Sequence, residues 1–405
     1  MGNLLDSKNI VLGVTGSIAC YKAAQLASNL VQSGAIVNVI MTESATRFVS
    51  PLTFRSITHN PVVTDIFDLH SEHAVEHVSL ARQADLLLIA PATANFIAKL
   101  ANGMSDDSLS ITALATTAPI IVAPAMDANM FHNPAFQSNL STILKRGFKV
   151  VGPNEGYLSS GEIGKGRMSE PQEILGHISW VLGQKGDLEG RSIVISAGGT
   201  HEPIDPVRIL TNRSSGKMGY AIAEAARDRG ANVTLVSAST NIPPPVGVRI
   251  RVANTVEEMK REILGSCAFA DAVIMAAAIS DFRVSHFEPN KIKRKKPKEK
   301  IQLLLEENED FSNQIPKNVI RIGFAAETEN LIENAKRKLT EKNLAFIVAN
   351  DVTIPNSGFE ADTNQVTIID SYGSINPLPL ISKFEVGHHI LDKLHSLLNP
   401  GDRKS

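Results

Sequence analysis

Short apolar runs and longer segments of helical spacing alternate along the first 150 residues. The apolar runs have the length of buried strands and lie at 9–14, 36–41, 85–90, 119–123 and 148–151. The segments whose apolar residues recur every three or four positions lie at 18–32, 93–101 and 135–145. Strands that alternate with helices predict an α/β fold, a doubly wound parallel sheet that binds ligands at the carboxyl ends of its strands.

The same order of elements recurs in the second half of the chain. Strands are predicted at 193–195, 232–237, 248–252, 271–276, 321–324 and 345–349, with an edge strand at 365–370. Helices are predicted at 217–229, at 256–264, in a segment ending at 339, and at 380–397. A helix at 171–182 contains the only tryptophan, Trp180, and a polar linker with several glycines follows at 183–190. The pattern predicts two Rossmann-like domains in tandem, 1–190 and 191–405.

Composition and charge narrow the class of protein. Of the 405 residues, 43% are hydrophobic and 20% are charged, and the net charge of −2 gives no reason to expect a nucleic-acid or membrane partner. No apolar run approaches the roughly 20 residues of a spanning helix, and no signal peptide is expected. Cys20 and Cys267 lack the spacing of a disulfide or metal site, so a reducing, cytoplasmic location is expected.

The longest motif lies near the middle of the chain, where a buried strand ends in Gly198 and Gly199. A polar loop then leads to Ser214 and Ser215, which are predicted to cap a helix that starts at Lys217. A strand, a glycine turn and a helix N-terminus favour a phosphate- or carboxylate-binding loop over a plain structural turn. The run GGTHEPIDPVR…TNRSSGKMG resembles the opening of the phosphopantothenate–cysteine ligase domain of bacterial bifunctional coenzyme A biosynthesis proteins.

The ligase resemblance extends through the segments GFAAET, KLTEKNL and AND. It implies that CTP is bound by Ala277, Asp281, Lys291, Asp310, Phe324, Lys338 and Lys342. The proline of the family's Asn-Pro-Asp-Ile segment is missing before Asp310. From the pattern alone, Lys338 and Lys342 would be a surface pair and the basic run 291–300 a solvated loop. Asp281 would then hold Mg²⁺ or a ribose hydroxyl, and the resemblance favours a nucleotide site with Mg²⁺ at this residue.

The resemblance also implies a reaction in two steps. The carboxylate of 4'-phosphopantothenate attacks the α-phosphate of CTP, and the amine of L-cysteine then displaces CMP from the acyl-cytidylate. Asn212 would hold that intermediate for the second step. Arg208 and Lys217 would neutralise substrate charges, while Mg²⁺ and the lysines offset the charge that develops on the phosphates.

Loops at three predicted strand ends of the first half carry a second set of motifs. GVTGSIACYKA lacks the GxGxxG spacing of a dinucleotide site and by itself is only a weak mononucleotide signal. Together with APATANFIAKLANGM and APAMDANMF, it resembles the FMN-dependent cysteine decarboxylase family, which includes phosphopantothenoylcysteine decarboxylase. The resemblance implies a flavodoxin-like domain that binds FMN through Gly16, Ser17, Thr42, Ala92, Thr93 and Asn95.

His77 matches the histidine that this family has before the APATA strand, which implies a base or a group that positions the substrate carboxylate. Without the resemblance, a packed or capping histidine would be expected. A metal-binding face is a further alternative, because five candidate ligands lie close together: His70, His73, His77, Glu72 and Glu76. No cysteine or distant ligand completes that set, and a solvated helix face explains His70 and His73.

The chemistry explains why a flavin is needed. Direct decarboxylation of a cysteinyl amide would leave an unstabilised carbanion. If the flavin first oxidises the thiol to a thioaldehyde, the electrons left by CO₂ delocalise into the C=S group, and an enethiol forms. The reduced flavin then returns the hydride, while the protein orients the substrate and handles protons.

Two positions depart from the decarboxylase pattern. Asp127, which lies near the substrate-binding Met130, replaces an asparagine, and an ionised aspartate cannot donate a hydrogen bond. Asp127 must therefore bind the amide differently or be protonated. In the substrate flap 156–168, Ser160 replaces a cysteine that protonates the enethiol in some members, and a thiol of pKa near 8.5 is a much better acid. Ser160, a water or a neighbour must relay that proton.

The whole chain therefore resembles bifunctional decarboxylase–ligase proteins of coenzyme A biosynthesis. One alternative keeps the ligase but makes the flavin domain non-decarboxylating, since Asp127 and Ser160 depart from the pattern. A second alternative, an inhibitory binding subunit, leaves the ligase motifs unexplained. Flavin-domain relatives are typically trimeric and ligase domains dimeric, so the resemblance implies a homo-oligomer that reaches a dodecamer.

Overall fold

The computed structural model divides the chain into two compact units, Met1–Leu182 and Gly183–Ser405. It describes residues 4–66, 76–293, 301–351, 353–354, 357–358 and 360–399, except for the side chains of residues 76 and 77. The segment 183–190 lies in the second unit. Leu188 donates its N–H to the carbonyl oxygen of Arg229, and Asp187 forms an ion pair with the same arginine. The units therefore divide after residue 182, whereas the sequence predicts a boundary after 190.

The first unit alternates strands and helices, as predicted. Its strands are β1 (Asn9–Val14), β2 (Ile36–Met41), β3 (Val62–Val63), β4 (Leu86–Ala92), β5 (Ile120–Pro124), β6 (Lys149–Val150), β7 (Asn154–Tyr157) and β8 (Ile163–Arg167). Its helices are α1 (Cys20–Gln32), α2 (Glu43–Thr46), α3 (Pro51–Thr58), α4 (Glu76–Gln83), α5 (Ala94–Asn102), α6 (Ser108–Ala115), α7 (Ala128–His132), α8 (Pro134–Lys145) and α9 (Pro171–Gly183).

Strands β1 to β6 form one parallel sheet in the order β3-β2-β1-β4-β5-β6, and β7 and β8 form an antiparallel hairpin. Ile10 and Leu12 of β1 pack in one apolar cluster, whereas Val11 packs in another. A strand that is buried on both faces reads as a continuous apolar run, which is why β1 and β4 are easily found in the sequence. The strand order reverses between β1 and β4, and doubly wound sheets bind ligands beyond such a point.

The second unit contains a larger sheet. Its strands are β9 (Ser192–Ala197), β10 (His201–Pro203), β11 (Ile209–Thr211), β12 (Asn232–Ser237), β13 (Arg249–Val252), β14 (Ala272–Met275), β15 (Phe282–Val284), β16 (Leu305–Glu307), β17 (Ile320–Glu327), β18 (Phe346–Asp351), β19 (Thr363–Asn364), β20 (Val366–Asp370), β21 (Ile375–Pro377) and β22 (Ile381–Ser382). Its helices are α10 (Lys217–Asp228), α11 (Val256–Cys267), α12 (Leu331–Glu341) and α13 (Lys383–Leu398).

Eight of these strands form the sheet, in the order β13-β12-β9-β14-β17-β18-β20-β21. The six strands from β13 to β18 are parallel, and β20 and β21 extend the sheet antiparallel. The order reverses between β9 and β14, so this sheet also has a ligand-binding switch point. Two Rossmann-like units in tandem confirm the predicted fold class. Among the described residues, no helix combines the length and the apolar character that a membrane crossing requires.

Several predicted details are wrong. The strand predicted at 365–370 is not an edge strand, because β21 pairs with its outer side. The N-cap residue of α10 is Gly216, whose φ is 80°, and not Ser214 or Ser215. Ser215 nevertheless accepts through Oγ from the N–H of Lys217, the first residue of α10, at 3.4 Å. The pattern also missed α2, α3, α4 and α6, since helices of 4 to 8 residues offer few repeats.

Candidate active sites

At the switch point of the first unit, the loops that follow β1 and β4 are joined by a buried threonine. Thr15 Oγ1 donates to the carbonyl oxygen of Pro91 at 2.8 Å and accepts from the N–H of Thr93 at 3.0 Å. Thr93 in turn caps α5 by accepting from the N–H of Phe96 at 3.3 Å. These bonds fix the two loops relative to each other and aim the N-terminus of α5 at the carboxyl edge of the sheet, where an anion is favoured.

The remaining residues predicted to bind FMN lie at the same edge. Gly16 follows β1, and a Cβ atom at this position would lie 2.4 Å from Cβ of Ser44, so a larger residue would displace the loop after β2. Thr42 directly follows β2 and caps α2 by accepting from the N–H of Ala45. Ser17 is half-buried, Ala92 is the last residue of β4, and Asn95 is exposed on α5: these three complete the set.

Asp127 and Met130 follow β5 and face the same edge of the sheet. Asp127 is the N-cap of α7, and its Oδ1 accepts from the N–H of Asn129 at 2.9 Å. An N-cap needs an acceptor, and aspartate and asparagine serve equally well. The departure from the family's asparagine therefore leaves the local backbone intact and changes only what the second side-chain atom can offer a substrate. The side chain of Met130 is 49% exposed.

The predicted flap 156–168 is the hairpin β7–β8, and Ser160 lies exposed in its turn. The base of the hairpin is attached to the β5 loop, since Met126 donates its N–H to the carbonyl oxygen of Gly166 at 3.0 Å. Lys22, which is buried in α1, donates through Nζ to the carbonyl oxygen of Met168 at 2.9 Å and so holds the end of the flap. The hairpin thus has a fixed base and an exposed tip.

The histidine that the family resemblance implies to be catalytic, His77, lies in the first unit. His77 lies in helix α4, and its side chain is outside the part of the chain that the structure describes. His70, His73 and Glu72, which would form a metal-binding face with His77, also lie outside the described residues. Across the described part of the chain, no group of three or more histidine, cysteine, aspartate or glutamate side chains is placed to hold a metal ion.

A cavity of about 620 Å³ opens at the switch point of the second unit. Its walls are the start of α10, the segment after β14, the end of β17 and the last turn of α12. Sequence positions more than 100 residues apart thereby meet around one space. The cavity is lined by most of the predicted ligase residues, namely Asn212, Lys217, Ala277, Asp281, Asp310, Phe324, Lys338 and Lys342.

Two of the lining lysines are paired with different carboxylates. Lys338 Nζ lies 2.8 Å from Oε1 of Glu327, and Lys342 Nζ lies 3.1 Å from Oδ2 of Asp310. Burial alone would raise the pKa of Asp310, but hydrogen bonds from Ser312 and Lys342 lower it below its usual range. The carboxylates therefore hold the two ammonium groups at the cavity wall.

The start of α10 contributes a helix N-terminus and a third lysine. Gly216 is the N-cap residue and is buried, and a side chain there would meet Thr240 at 2.8 Å. Lys217 Nζ lies 2.7 Å from both the carbonyl oxygen of Glu360 and Oδ1 of Asp362. Asn212 donates through Nδ2 to the carbonyl oxygen of Ile279 at 3.3 Å and so joins this loop to the segment after β14.

Two predicted residues do not line the cavity. Arg208 pairs with the buried Asp205 and donates to the carbonyl oxygen of Ile292 at 3.3 Å. Burial alone would raise the pKa of Asp205, but the N–H groups of Val207 and Ile292 and the hydrogen bonds of Arg208 lower it to about 2. Lys291 is exposed at the start of the basic run, next to this cluster. The structure thus separates Arg208 and Lys291 from the other ligase residues.

A buried lysine, Lys383, and a polar network around Asn350 also lie at the cavity, and neither was predicted from the pattern of the sequence. Lys383 is only 5% exposed, lines the cavity and starts α13. Asn350, which is buried near the end of β18, donates through Nδ2 to the carbonyl oxygen of Ser357 at 3.2 Å. Ser357 Oγ in turn donates to Oδ1 of Asn364 at 2.8 Å. Asn350 belongs to the segment AND, which contributes to the ligase resemblance, but no role was predicted for its side chain. Lys383 stands in an amphipathic helix, where a lysine is normally expected to face solvent.

The two halves match two families of known proteins. Residues 2–182 match the flavoprotein family, and residues 188–398 match the family described as the DNA/pantothenate metabolism flavoprotein C-terminal domain. The chain therefore belongs to the class of two-domain proteins in which a flavoprotein unit is followed by this C-terminal domain. A crystal structure of the C-terminal domain of the coenzyme A biosynthesis bifunctional protein CoaBC shares 37% sequence identity and covers 53% of this chain and 99% of its own, with a TM-score of 0.46.

Full-length relatives identify the family. The coenzyme A biosynthesis bifunctional protein CoaBC of Bacillus subtilis is 43% identical over 403 residues, which cover 97% of this chain and 98% of the relative. The protein of the same name from Escherichia coli K12 is 39% identical over 405 residues, which cover 99% of this chain and 100% of the relative. The chain belongs to the family of CoaBC bifunctional proteins, which confirms the resemblance seen in the sequence, and its first half is a flavoprotein unit.

Proposed function

We propose that this chain catalyses two consecutive steps of coenzyme A biosynthesis. The second unit would join 4'-phosphopantothenate to L-cysteine at the expense of CTP, and the first would decarboxylate the product to 4'-phosphopantetheine. The observation that carries the proposal is the 620 Å³ cavity, where residues from Asn212 to Lys342 converge at a switch point. The size of the cavity, and a lining that combines apolar surface with lysines and carboxylates, suit a nucleotide and a second substrate.

For the ligase reaction, the lining residues have distinct roles. The substrate carboxylate attacks the α-phosphorus of CTP, which forms an acyl-cytidylate and releases pyrophosphate. Lys338 and Lys342 neutralise the triphosphate, and Phe324 and Ala277 pack against the nucleotide. Asn212 holds the acyl-cytidylate while the amine of cysteine attacks the acyl carbon, CMP leaves, and the amine loses a proton to water.

A magnesium ion is consistent with a single protein carboxylate. Mg²⁺ commonly takes one or two carboxylates together with substrate phosphates and water, so Asp281, which is exposed on the cavity wall, would be sufficient. The ion would supply charge neutralisation on the phosphates. Asp310 would release Lys342 to the triphosphate and remain beside the bound CTP. Arg208 and Lys291 would reach the substrates from outside the cavity wall.

For the decarboxylase reaction, the first unit has a cradle that suits FMN. Gly16 leaves space beside Ser44, and the N-terminus of α5 at Thr93 offers N–H groups to an anion. Ser17, Thr42, Ala92 and Asn95 would complete the cofactor contacts. FMN, when bound, supplies the reversible two-electron oxidation that the substrate thiol requires.

The chain's own residues would then position the substrate and move protons. His77 would position the substrate carboxylate or act as the base, and Asp127 with Met130 would contact the pantothenoyl group. Ser160 would be brought over the substrate by the flap and pass a proton to the enethiol, directly or through water. We also propose a cytoplasmic location and a homo-oligomer of trimeric and dimeric contacts; Cys20 and Cys267 are both free and buried, in agreement with a reducing compartment.

One incubation tests the proposal. Purified protein is mixed with phosphopantothenate, cysteine, CTP and Mg²⁺, and the products are analysed by mass spectrometry. Phosphopantetheine, CMP and CO₂ are expected. Accumulation of phosphopantothenoylcysteine would favour the second candidate, an active ligase with a non-decarboxylating flavin unit, for which the serine at position 160 is the specific reason. If no CTP is consumed, the ligase assignment is wrong.

A further inference from the structure

Lys383 is a buried lysine on the wall of the ligase cavity. It is 5% exposed, and its Nζ donates to the carbonyl oxygen of Gly358 at 3.1 Å and to that of Ala361. A buried ammonium group loses its hydration, which costs free energy unless hydrogen bonds replace it. An apolar residue would fill the same space without that cost. The presence of a lysine here therefore needs an explanation beyond packing.

The carbonyl groups that Lys383 binds belong to a loop that holds another lysine. Residues 357–358 and 360–362 lie between β18 and β19, and within them the carbonyl oxygen of Glu360 and Oδ1 of Asp362 each lie 2.7 Å from Nζ of Lys217. Lys383 therefore donates hydrogen bonds to one side of this segment, and the other side accepts hydrogen bonds from Lys217. Lys217 is the first residue of α10, and both Lys217 and the N-cap Gly216 line the cavity.

The contact between Lys217 and Asp362 would not hold the lysine by itself. The two side chains are 35% and 89% exposed, and exposed ion pairs contribute little because solvent screens them and side-chain entropy is lost. The buried contacts of Lys383 are the part of this arrangement that water does not reach. The position of Lys217 therefore depends on a loop that Lys383 fixes.

We propose that Lys383 is a positioning residue of the ligase unit. It fixes the described residues 358 and 360–362 so that Lys217 and the N-terminus of α10 form a binding site for a phosphate group. The phosphate belongs to CTP or to phosphopantothenate, and the inference rests on the proposed ligase function. A helix N-terminus and an ammonium group both favour a phosphate dianion. Asp362, on the exposed side, keeps Lys217 in place until the phosphate displaces it.

The charge balance at the site supports this arrangement. Burial first, and then the positive charge of Lys217, lower the pKa of Lys383 to about 8, whereas Asp362 acts in the opposite direction. The two lysines therefore lie close enough for their positive charges to act on each other, and Asp362, the exposed partner of Lys217, offsets those charges in part. An arriving phosphate would find an excess of positive charge.

The test measures steady-state ligase kinetics of the full-length protein and three variants, Lys383→Met, Asp362→Asn and Lys217→Met. In Lys383→Met and Lys217→Met, losing a hydrogen bond to a charged group is expected to raise KM about tenfold for one phosphorylated substrate, CTP or phosphopantothenate, and to leave KM for cysteine unchanged. Asp362→Asn, which weakens an exposed contact that the phosphate displaces, is expected to leave all three KM values nearly unchanged. The substrate that is affected identifies the source of the phosphate. Lys393→Met is the matched control, because Lys393 lies on the same helix and pairs with Asp370 away from the cavity.

A double-mutant cycle separates positioning from a merely structural role. If Lys383 acts through Lys217, the variant with both Lys217→Met and Lys383→Met has the same raised KM as Lys217→Met alone. Effects that multiply, or an unchanged KM in Lys383→Met, would overturn the proposal. Should Lys383→Met fail to fold, Lys383→Arg carries the test, because it keeps the charge and changes the reach of the hydrogen bonds to the carbonyl oxygens of Gly358 and Ala361. An inactive wild-type protein would instead refute the ligase function.

Discussion

At the scale of single residues, both candidate sites present polar side chains that are oriented by main-chain atoms. Asn212 donates to the carbonyl oxygen of Ile279, and Asp127 accepts from the N–H of Asn129. A main-chain partner orients a side chain without adding a net charge, and the second atom of the amide or carboxylate remains available to a substrate. Substitutions that preserve shape and change one atom therefore test these roles directly.

Asn212→Asp is expected to separate the two half-reactions of the ligase. A carboxylate at this position repels the charge of the acyl-cytidylate and cannot donate a hydrogen bond to it. Pyrophosphate should still be released from CTP, whereas phosphopantothenoylcysteine should form in only small amounts. Both products are measured in one reaction by mass spectrometry. Asn376→Asp, an exposed change on β21, serves as the control; a normal amide yield from Asn212→Asp would remove Asn212 from the mechanism.

Ser160→Cys is expected to accelerate the last step of the decarboxylase. A thiol is a much better acid than a hydroxyl, and a positioned general acid typically contributes 10²- to 10⁴-fold. Formation of phosphopantetheine from supplied phosphopantothenoylcysteine should rise at least about tenfold, while the flavin absorbance of the purified protein stays the same. Ser159→Cys, one position earlier in the same exposed turn, is the control. Equal rates for Ser160→Cys and the wild type would mean that another group delivers the proton.

At the scale of elements, each site is assembled from loops that leave the carboxyl edge of a parallel sheet. In the first unit, the loops after β1, β2 and β4 are brought together by Thr15 and by the close approach of Gly16 to Ser44. Parallel strands place all such loops at one edge, and the reversal of strand order opens the space between them. The glycine at the closest approach is therefore expected to control cofactor binding.

Gly16→Ala is expected to weaken flavin binding. Its Cβ would lie 2.4 Å from that of Ser44, and relief of such overpacking typically costs 1 to 3 kcal/mol. Flavin affinity should fall roughly tenfold, measured as the flavin absorbance that stays with the protein during gel filtration. Gly265→Ala is the control, because a Cβ at that position meets no atom within 4 Å. Full flavin retention by Gly16→Ala would show that the segment around Ser44 can shift without loss of the flavin-binding site.

At the scale of the whole molecule, each unit buries its own apolar clusters, and stability is decided separately in each. Ile10 and Val11 belong to clusters of the first unit, and Ile193 and Val194 belong to clusters of the second. Helix α13 packs mainly against α10, and its Val386 and Ile390 are both fully buried. Lys383 begins this helix, so its charge bears on the stability of the unit as well as on the site.

Because Lys383 has a lowered pKa in the folded protein, the free energy of unfolding of the second unit is expected to increase as the pH rises above 8. Its pKa is about 8 in the folded protein and about 10.4 in an unfolded chain, so between these values the unfolded chain holds the proton that the folded protein has lost. Stability therefore increases with pH across this window, relative to Lys383→Met. The midpoint of thermal unfolding, followed from pH 7.5 to 10 for both proteins, measures the difference. Parallel pH profiles would mean that Lys383 titrates normally.

The sequence by itself determined the two parallel sheets, the family and the chemistry to look for. Buried parallel strands are continuous apolar runs, so β1, β4, β9 and β12 could be found from local pattern. Motifs such as the run from Gly198 to Gly219 are long and contiguous, and they carried the resemblance without knowledge of the fold. Short helices and the strand β21 were missed, because they contain too few residues to establish a period.

Only the tertiary structure decided which charged residues share a site. Lys217, Lys342 and Lys383 are far apart in the chain and meet at one cavity, whereas Arg208, near Lys217 in sequence, turns to Asp205 instead. Local spacing could not show that Lys383 is buried, since a lysine near a helix start is usually solvated. Burial and ion pairing depend on what other segments place beside a residue, and that information is distributed over the whole fold.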